Sequence, residues 1–200
     1  MTTWRDYGPP ELPAPLAAAL EAFAEHGYHG TTVREIAARA GLSVPGLYHH
    51  YPSKQSLLQG LSELTMSELL DRSAAALAEA GDDPLARFEA LVESLLRFHM
   101  YRREQAFVGS TEIRSMDGDY RAVYVGHRDA QQRLVDEAVD AGVAAGVFTT
   151  PYPKDAARAL TTMCVGVSTW YRPDGPLGPD ELIARNLAFA RELVGYTPPA

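Results

Sequence analysis

A short stretch of the chain carries residue types that contact duplex DNA and places them on one side of a predicted helix. These residues are Pro45, Gly46, Tyr48 and His49. A tyrosine hydroxyl and an imidazole bind phosphate oxygens or base edges, and glycine leaves the backbone open to close approach. Leu47 lies on the opposite side of the helix, where we expect the core. The pattern predicts a recognition helix that faces a DNA major groove.

Two short helices joined by one tight turn are needed to position this stretch. Thr32 is expected to cap the first helix by accepting a hydrogen bond from the Glu35 amide, while the Glu35 side chain reaches back to Thr32. Gly41 ends that helix because glycine adopts the left-handed conformation of a tight exit. Ser43 caps the second helix, and Val44 is followed by a proline in its first turn, where a missing N–H costs little. This arrangement predicts a helix-turn-helix.

Contacts with double-stranded DNA are expected from the two caps, from the recognition helix and from the start of the next helix. The predicted DNA-binding residues are Thr32, Ser43, Val44, Pro45, Gly46, Tyr48, His49 and Lys54. We expect Tyr48 and Lys54 to bind phosphates, so that they contribute to affinity on every DNA sequence alike.

Residues 16–61 resemble the N-terminal signature of TetR-family transcriptional repressors. The matching segments are Phe23-x-x-x-Gly27-Tyr28, Thr31-Thr32-Val33-Arg34-Glu35-Ile36-Ala37, Ala40-Gly41-Leu42-Ser43, Leu47-Tyr48-His49-His50-Tyr51 and Ser53-Lys54. The resemblance implies a dimer that binds a palindromic operator and releases it when a small molecule fills a pocket in a second domain. It therefore implies a regulator and not an enzyme.

The remainder of the chain shows helical spacing of apolar residues, and no stretch keeps the two-residue period of a strand for long. Helices are predicted over residues 54–80, 85–103, 105–116, 120–145, 154–170 and 179–194, after a first helix that carries Leu16, Leu20 and Phe23 and ends at Gly27. We therefore predict an all-α fold of about nine helices. A three-helix helix-turn-helix domain is placed at residues 12–52, and a larger effector-binding and dimerisation domain at residues 53–196.

Composition limits the classes of protein to which the chain can belong. Its 200 residues are 46% hydrophobic, enough for a buried core, and its one cysteine, Cys164, excludes an internal disulfide and a cysteine-rich metal site. With no apolar run of membrane-spanning length and no export signal, we expect a cytoplasmic protein without membrane contact, cofactor or metal. The net charge is −8, but residues 1–60 hold four basic and five acidic side chains, so most of the acidity lies downstream.

The last two predicted helices each carry an apolar stripe. The first stripe consists of Leu160, Met163, Val167 and Tyr171, and the second of Ile183, Leu187, Ala190 and Val194. Two such helix pairs across a twofold axis would form a four-helix bundle. We therefore expect a homodimer through the last two helices, with completion of the internal core as the alternative.

Large, adaptable side chains in the middle helices predict an effector pocket, for which plain core packing is the alternative. The candidate lining residues are Phe98, Tyr101, Phe107, Tyr124, Met163 and Trp170. Residues 166–182 also resemble a Trp-Tyr-Arg-Pro segment of TetR-like regulators of fatty-acid and steroid breakdown, which implies an acyl-CoA thioester as effector. A hydrophobic drug-like molecule that controls an efflux or other catabolic operon is the alternative.

The phosphates of an acyl-CoA require cations, which arginine supplies well because its guanidinium binds two phosphate oxygens at once. The candidates are Arg97, Arg102, Arg103, Arg121 and Arg128. Solvated surface charge is the alternative for each of them.

Two other classes of function stay open at the level of sequence. An enzyme would use His99 and Glu104 as an acid–base pair, although a histidine satisfied within its own helix explains His99 as well. An all-α interaction module without DNA binding is the second class, because Lys54 is the only lysine in the first 60 residues.

Overall fold

A computed structural model describes residues 3–198 of the chain. These residues form nine α-helices and one short 3-10 helix and contain no strand, which confirms the predicted all-α fold. The α-helices are α1 (Ala14–Gly30), α2 (Val33–Arg39), α3 (Val44–His50), α4 (Lys54–Ala80), α5 (Pro84–Tyr101), α6 (Arg103–Thr111), α7 (Gly118–Ala144), α8 (Pro153–Trp170) and α9 (Pro179–Leu193). The 3-10 helix, Glu112–Ser115, follows α6. None of the helices in the described part is long and apolar enough to cross a membrane.

Packing divides the chain into two compact units. The head unit consists of Gly8–Glu68 and Arg102–His127, and the body unit contains residues 3–7, 69–101 and 128–198 of the described chain. This division differs from the sequence boundary placed between residues 52 and 53. The reason is that α4 and α7 are continuous helices whose residues contribute to both units.

The core of the head unit is built by α1, α2 and α3. Leu16, Leu20, Phe23, Ile36 and Leu47 are all at least 96% buried, which confirms the predicted core of the helix-turn-helix. Helix α1 packs on α2 and also contacts α6 and the 3-10 helix. Helix α1 is therefore supported by a second layer, which the sequence prediction assigned to another domain.

The core of the body unit is formed where α5 packs on α8 and α9. Phe88 and Phe148 meet edge to face there, with their ring centroids 4.9 Å apart. The Phe148 ring also covers Gly142, where an added Cβ would lie only 2.0 Å from the ring. Cys164, on α8, is fully buried, and its burial raises the pKa of the thiol to about 12. The thiol is consequently a packing group.

The predicted dimer stripes lie mostly inside this core. Leu160, Val167, Tyr171, Ile183, Ala190 and Val194 are all buried within the body unit, and Met163 and Leu187 are partly buried. The stripes themselves are therefore core, which corrects the prediction that they face a second subunit. Large apolar side chains that α8 and α9 do expose are Trp170, Phe189 and Leu193.

A segment at the start of the chain is bound to the body unit, and we call residues 3–7 the N-terminal clasp. Trp4 is buried, and its indole N–H donates to Glu79 over 3.0 Å. The Arg72 guanidinium donates to the Trp4 carbonyl over 2.8 Å and stacks 3.7 Å from the centre of the Tyr7 ring. Arg5 pairs with Glu79 on α4 and with Glu93 on α5. The clasp thus joins two helices of the body unit.

Candidate nucleic-acid interface

Side-chain caps fix both helices of the helix-turn-helix. The Thr32 hydroxyl accepts a hydrogen bond from the Glu35 amide over 3.2 Å, and the Ser43 hydroxyl accepts one from the Gly46 amide over 3.1 Å. Gly41 has a φ of +69°, the left-handed conformation that ends α2. The predicted caps and the predicted glycine turn are therefore confirmed.

The second half of the predicted capping box is wrong, because the Glu35 carboxylate binds side chains instead of the Thr32 amide. It pairs with Arg39 over 2.7 Å, one turn further along α2, and with the His26 imidazole over 3.3 Å. Arg39 also pairs with Glu25 on α1 over 2.7 Å, and its hydrogen bond lowers the pKa of the Glu25 carboxyl. This cluster neutralises one of the four basic side chains in residues 1–60.

Helix α3 presents a face to solvent that carries the predicted contacts. Leu47 is fully buried, whereas Pro45, Tyr48 and His49 are exposed, with 44% of Tyr48 accessible. Gly46 is partly buried, and an added Cβ there would lie 3.2 Å from the Ser43 hydroxyl. The partner of that hydroxyl is the Gly46 amide itself, so a larger side chain would crowd the cap. Val44, in the first turn of α3, is also partly buried.

The Lys54 ammonium is turned toward the protein. It donates to the Tyr28 carbonyl over 2.7 Å and to the Thr31 carbonyl over 2.8 Å, and it lies 4.2 Å from the centre of the Tyr28 ring. Burial lowers the pKa of Lys54. These contacts join the start of α4 to the end of α1, so Lys54 holds the framework of the helix-turn-helix together.

Arg34 is an exposed cation in α2 that the sequence analysis did not select. No hydrogen bond or ion pair of its side chain is found within residues 3–198. Its neighbour Arg39 has Glu35 at the i−4 position of the helix, whereas Arg34 has no carboxylate three or four residues away on either side. This difference in helical spacing was a usable signal that Arg34 stays available for phosphates.

The predicted effector residues are distributed over both units. In the body unit, Phe98 is buried and Met163 is partly buried, while Tyr101 and Trp170 are 41% and 55% exposed. Tyr101 stacks on Tyr7 of the clasp, with centroids 4.8 Å apart.

In the head unit, Phe107 is exposed and Tyr124 is buried. The Tyr124 hydroxyl fills the space beside Gly109, where an added Cβ would lie 2.9 Å from it. Tyr124 also lines a small cleft together with Gln59, Ser62 and Met116. Packing within the head unit therefore accounts for Tyr124.

Two of the five predicted phosphate partners have structural roles instead. Arg97 pairs with Glu93 over 2.7 Å and with Asp180 over 2.9 Å. Arg102 is buried and makes two hydrogen bonds of 2.9 Å to the Glu68 carboxylate, while it also donates to the Gly8 carbonyl over 3.0 Å. Their guanidinium groups are occupied, which argues against a contact with ligand phosphates.

Two of the other three predicted phosphate partners are exposed. Arg103 is partly buried, and Arg121 and Arg128 are exposed. Within the described chain, neither Arg121 nor Arg128 has a side-chain hydrogen bond or ion pair. These two guanidinium groups keep their donors available.

His99 has the surroundings of a packing residue. It is buried, and its Nδ1 atom lies 2.7 Å from the Leu95 carbonyl of the same helix. Burial lowers the pKa of His99 to about 4, so the imidazole is neutral near pH 7. This local bond satisfies His99 within α5 and offers no support for the alternative of an acid–base pair with Glu104.

Comparisons with known proteins agree with this architecture. The family profile "Tetracyclin repressor-like, C-terminal domain" matches residues 81–194, and the profile "Bacterial regulatory proteins, tetR family" matches residues 16–61. The HTH-type transcriptional repressor KstR2 of Mycobacterium tuberculosis is 30% identical over 180 residues, which cover 87% of this chain and 86% of KstR2.

Solved structures share the fold along nearly the whole chain. A bacterial regulatory protein of the tetR family from Rhodococcus RHA1 aligns with a TM-score of 0.84 and 31% identity, over 92% of this chain and 97% of that one. AibR, in complex with isovaleryl coenzyme A and operator DNA, aligns with a TM-score of 0.80 and 22% identity, over 92% and 98% of the two chains. Since the C-terminal profile alone spans more than half of the sequence, the protein belongs to the TetR family of bacterial transcriptional regulators.

Proposed function

We propose that this protein is a dimeric repressor that binds a palindromic operator and releases it when an acyl-CoA thioester binds. The observation that carries the proposal is the exposed face of α3, with Tyr48 and His49 facing solvent while Leu47 anchors the helix in the core. A helix held from behind in this way can enter a major groove without disturbing its own packing. The repressor activity of the relative KstR2 supports the same role.

The DNA contacts follow from the exposed groups of the helix-turn-helix. The Tyr48 hydroxyl donates a hydrogen bond to a phosphate oxygen, and Pro45 and His49 face base edges. The other proposed contacts come from the N-terminal turns of α2 and α3, through Thr32, Ser43, Val44 and Gly46. Lys54 has one ammonium N–H left for a phosphate after its two carbonyl contacts, and Arg34 adds a phosphate contact.

The effector proposal rests on the acyl-CoA ligand of AibR, a protein of the same fold, and on the resemblance of residues 166–182 to regulators of lipid breakdown. The body unit supplies large apolar side chains for an acyl chain, with Phe98 buried and Met163 partly buried. Arg128 in the same unit has a guanidinium available for phosphates. Binding in this unit would favour one conformation over another and thereby change the affinity for DNA.

Selection of bound fragments from random DNA, followed by fluorescence anisotropy on the selected operator, tests the proposal. Tyr48→Ala is expected to weaken binding about tenfold, or about 1.4 kcal/mol, on the operator and on its single-base variants alike. Tyr152→Ala removes another exposed tyrosine, from the body unit, and serves as the matched control. Failure to enrich any sequence, or an equal loss from both variants, would refute operator recognition by α3.

The same anisotropy assay tests the effector. Adding isovaleryl-CoA and longer saturated acyl-CoA thioesters is expected to release the operator, whereas free coenzyme A leaves it bound because it lacks the apolar chain. Equal release by free coenzyme A would show that no acyl chain is recognised and would reject the effector class.

A further inference from the structure

Three buried polar side chains of the body unit are satisfied by their own helices. His99 bonds to the Leu95 carbonyl, Ser168 to the Val165 carbonyl and Asn186 to the Leu182 carbonyl, over 2.7 to 2.9 Å. Such bonds run from a residue to a carbonyl one turn earlier, and they let a polar group sit in a helical core without any further partner. Two other buried side chains of the described body unit have a polar atom without any partner, the hydroxyl of Ser94 and the amide nitrogen of Gln131.

Gln131 on α7 departs from this pattern. Its side chain is 4% exposed, and its Oε1 atom accepts a hydrogen bond of 3.2 Å from the hydroxyl of Ser73 on α4, which is fully buried. The other end of the amide, Nε2, is buried and has no hydrogen-bond partner. Because Ser73 fixes Oε1, the amide presents its two N–H groups away from that contact.

The cost of this arrangement points to a ligand. A buried amide N–H without an acceptor loses its hydration and gains nothing in return, and folded proteins keep few such groups. Three neighbouring helix positions are apolar and buried, since Leu69 and Ala76 flank Ser73 on α4 and Val135 follows Gln131 by one turn on α7, while the exposed Arg128 precedes Gln131 by one turn. A neutral acceptor oxygen attached to an apolar body fits these surroundings better than an anion, which would lose its own hydration there.

We propose that Gln131 donates a hydrogen bond to the thioester carbonyl oxygen of the acyl-CoA effector, with Ser73 as the positioning residue that orients the amide. This inference rests on the proposed function, because it assumes that the effector enters the body unit. The inference assigns the Gln131 amide as the group that recognises the thioester carbonyl. It predicts that the protein distinguishes a thioester from a ligand with the same chain but no carbonyl.

Isothermal titration calorimetry on the full chain tests this discrimination with matched ligand pairs. Each pair consists of a saturated acyl-CoA of five to sixteen carbons and the S-alkyl-CoA thioether of equal length, which lacks only the thioester oxygen. Wild-type protein is expected to bind the thioester about tenfold or more tightly than the thioether. Gln131→Met keeps the length of the side chain, and it is expected to bind both members of a pair with the affinity that the wild type has for the thioether.

A neighbouring glutamine supplies the control. Gln132 is partly buried and donates to Asp136 over 2.8 Å within α7, so Gln132→Met is expected to retain the wild-type preference for thioesters. Without ligand, Gln131→Met is expected to raise the Tm by about 2–4 °C, because it removes an unsatisfied donor. A lower Tm together with an unchanged thioester preference would mean that Gln131 is satisfied in the free protein, and would overturn the inference.

The outcomes separate this inference from the function on which it rests. Equal binding of thioester and thioether by the wild type, with operator release by both, would overturn the role of Gln131 and leave the acyl-CoA-responsive repressor intact. Binding of no ligand pair, while the operator is still bound, would overturn both the effector class and the role of Gln131 but leave DNA recognition standing.

Discussion

At the scale of single residues, two cations of the helix-turn-helix and its flanks, Lys54 and Arg39, serve the structure of the head unit. Lys54 binds two carbonyls at the end of α1, and Arg39 binds Glu25 and Glu35. The sequence shows that these residues are basic, but it does not show in which direction their side chains point. The carbonyls of Tyr28 and Thr31 become available to Lys54 only in the folded head unit, so this contact could not be predicted from spacing.

The buried His99 predicts how stability depends on pH. The pKa of His99 falls from its ordinary 6.5 to about 4 on folding, so between these pH values the unfolded chain binds a proton that the folded chain does not. The free energy of unfolding therefore decreases as the pH is lowered from 6.5 to 4, by about 1.4 kcal/mol per pH unit. Replacing His99 by leucine is expected to remove this contribution, which urea unfolding at a series of pH values would measure.

A control for this prediction replaces His50, which is exposed on α3, by alanine. That variant is expected to keep the pH dependence of the wild type. Parallel pH curves for the wild type and His99→Leu would contradict the assignment of this dependence to His99.

At the scale of elements, the sequence predicted helices well where local signals define both ends. Helix α4 was predicted over residues 54–80 and is found at Lys54–Ala80, because Ser53 caps its start and Gly81, with a φ of +69°, ends it. The predicted helix over residues 105–116 instead divides into α6 and a 3-10 helix. No proline marks that change, and Gly109 lies inside α6 before it, so the change depends on packing that the local sequence does not encode.

The apolar stripes of α8 and α9 show a second limit of prediction. Helical periodicity indicated which side chains avoid water, and Leu160 and Val167 do so. Periodicity did not indicate what covers them, which is α5 of the same chain. The exposed Trp170 and Phe189 lie off the predicted stripes, so the candidate interface became visible only when the internal core was known.

The N-terminal clasp carries a prediction of its own. Trp4→Ala removes a buried indole and its hydrogen bond to Glu79, and it is expected to lower the free energy of unfolding by about 3 kcal/mol. Urea unfolding would measure the loss, and hydrogen exchange of α4 and α5 would locate it. Tyr152→Ala, at an exposed aromatic residue, is expected to unfold like the wild type. An unchanged unfolding midpoint in Trp4→Ala would show that the clasp contributes no stability.

At the scale of the whole molecule, a repressor that binds both halves of a palindrome needs two head units at a fixed spacing. We propose the exposed apolar side chains of α8 and α9 as the dimer surface, with Phe189 at 56% and Leu193 at 41% exposure. Apolar groups of this size are costly to leave in water and are enriched in the buried centre of stable interfaces. The proposed dimer interface therefore lies on the same two helices as the predicted one, but on the faces that α8 and α9 turn to solvent.

Phe189→Glu tests this surface because a second subunit would bury the new charge against its own copy. The variant is expected to be a monomer by light scattering at micromolar concentration, where the wild type is a dimer, and to bind the operator at least tenfold more weakly. Leu64→Glu places the same charge at an exposed leucine of the head unit, and it is expected to remain dimeric. A monomeric wild type would contradict the proposed interface.

The small number of available cations on the helix-turn-helix has a consequence for how the operator is found. With Arg34 and one N–H of Lys54 as the main proposed basic contacts, we expect few condensed counterions to leave the duplex on binding and random genomic sequence to hold the protein only briefly. Target search would then proceed by short encounters and returns to solution, with little sliding along the double helix. Residence at the correct site would come from the fit of α3 in the groove, and occupancy in the cell would depend on sequence more than on ionic strength.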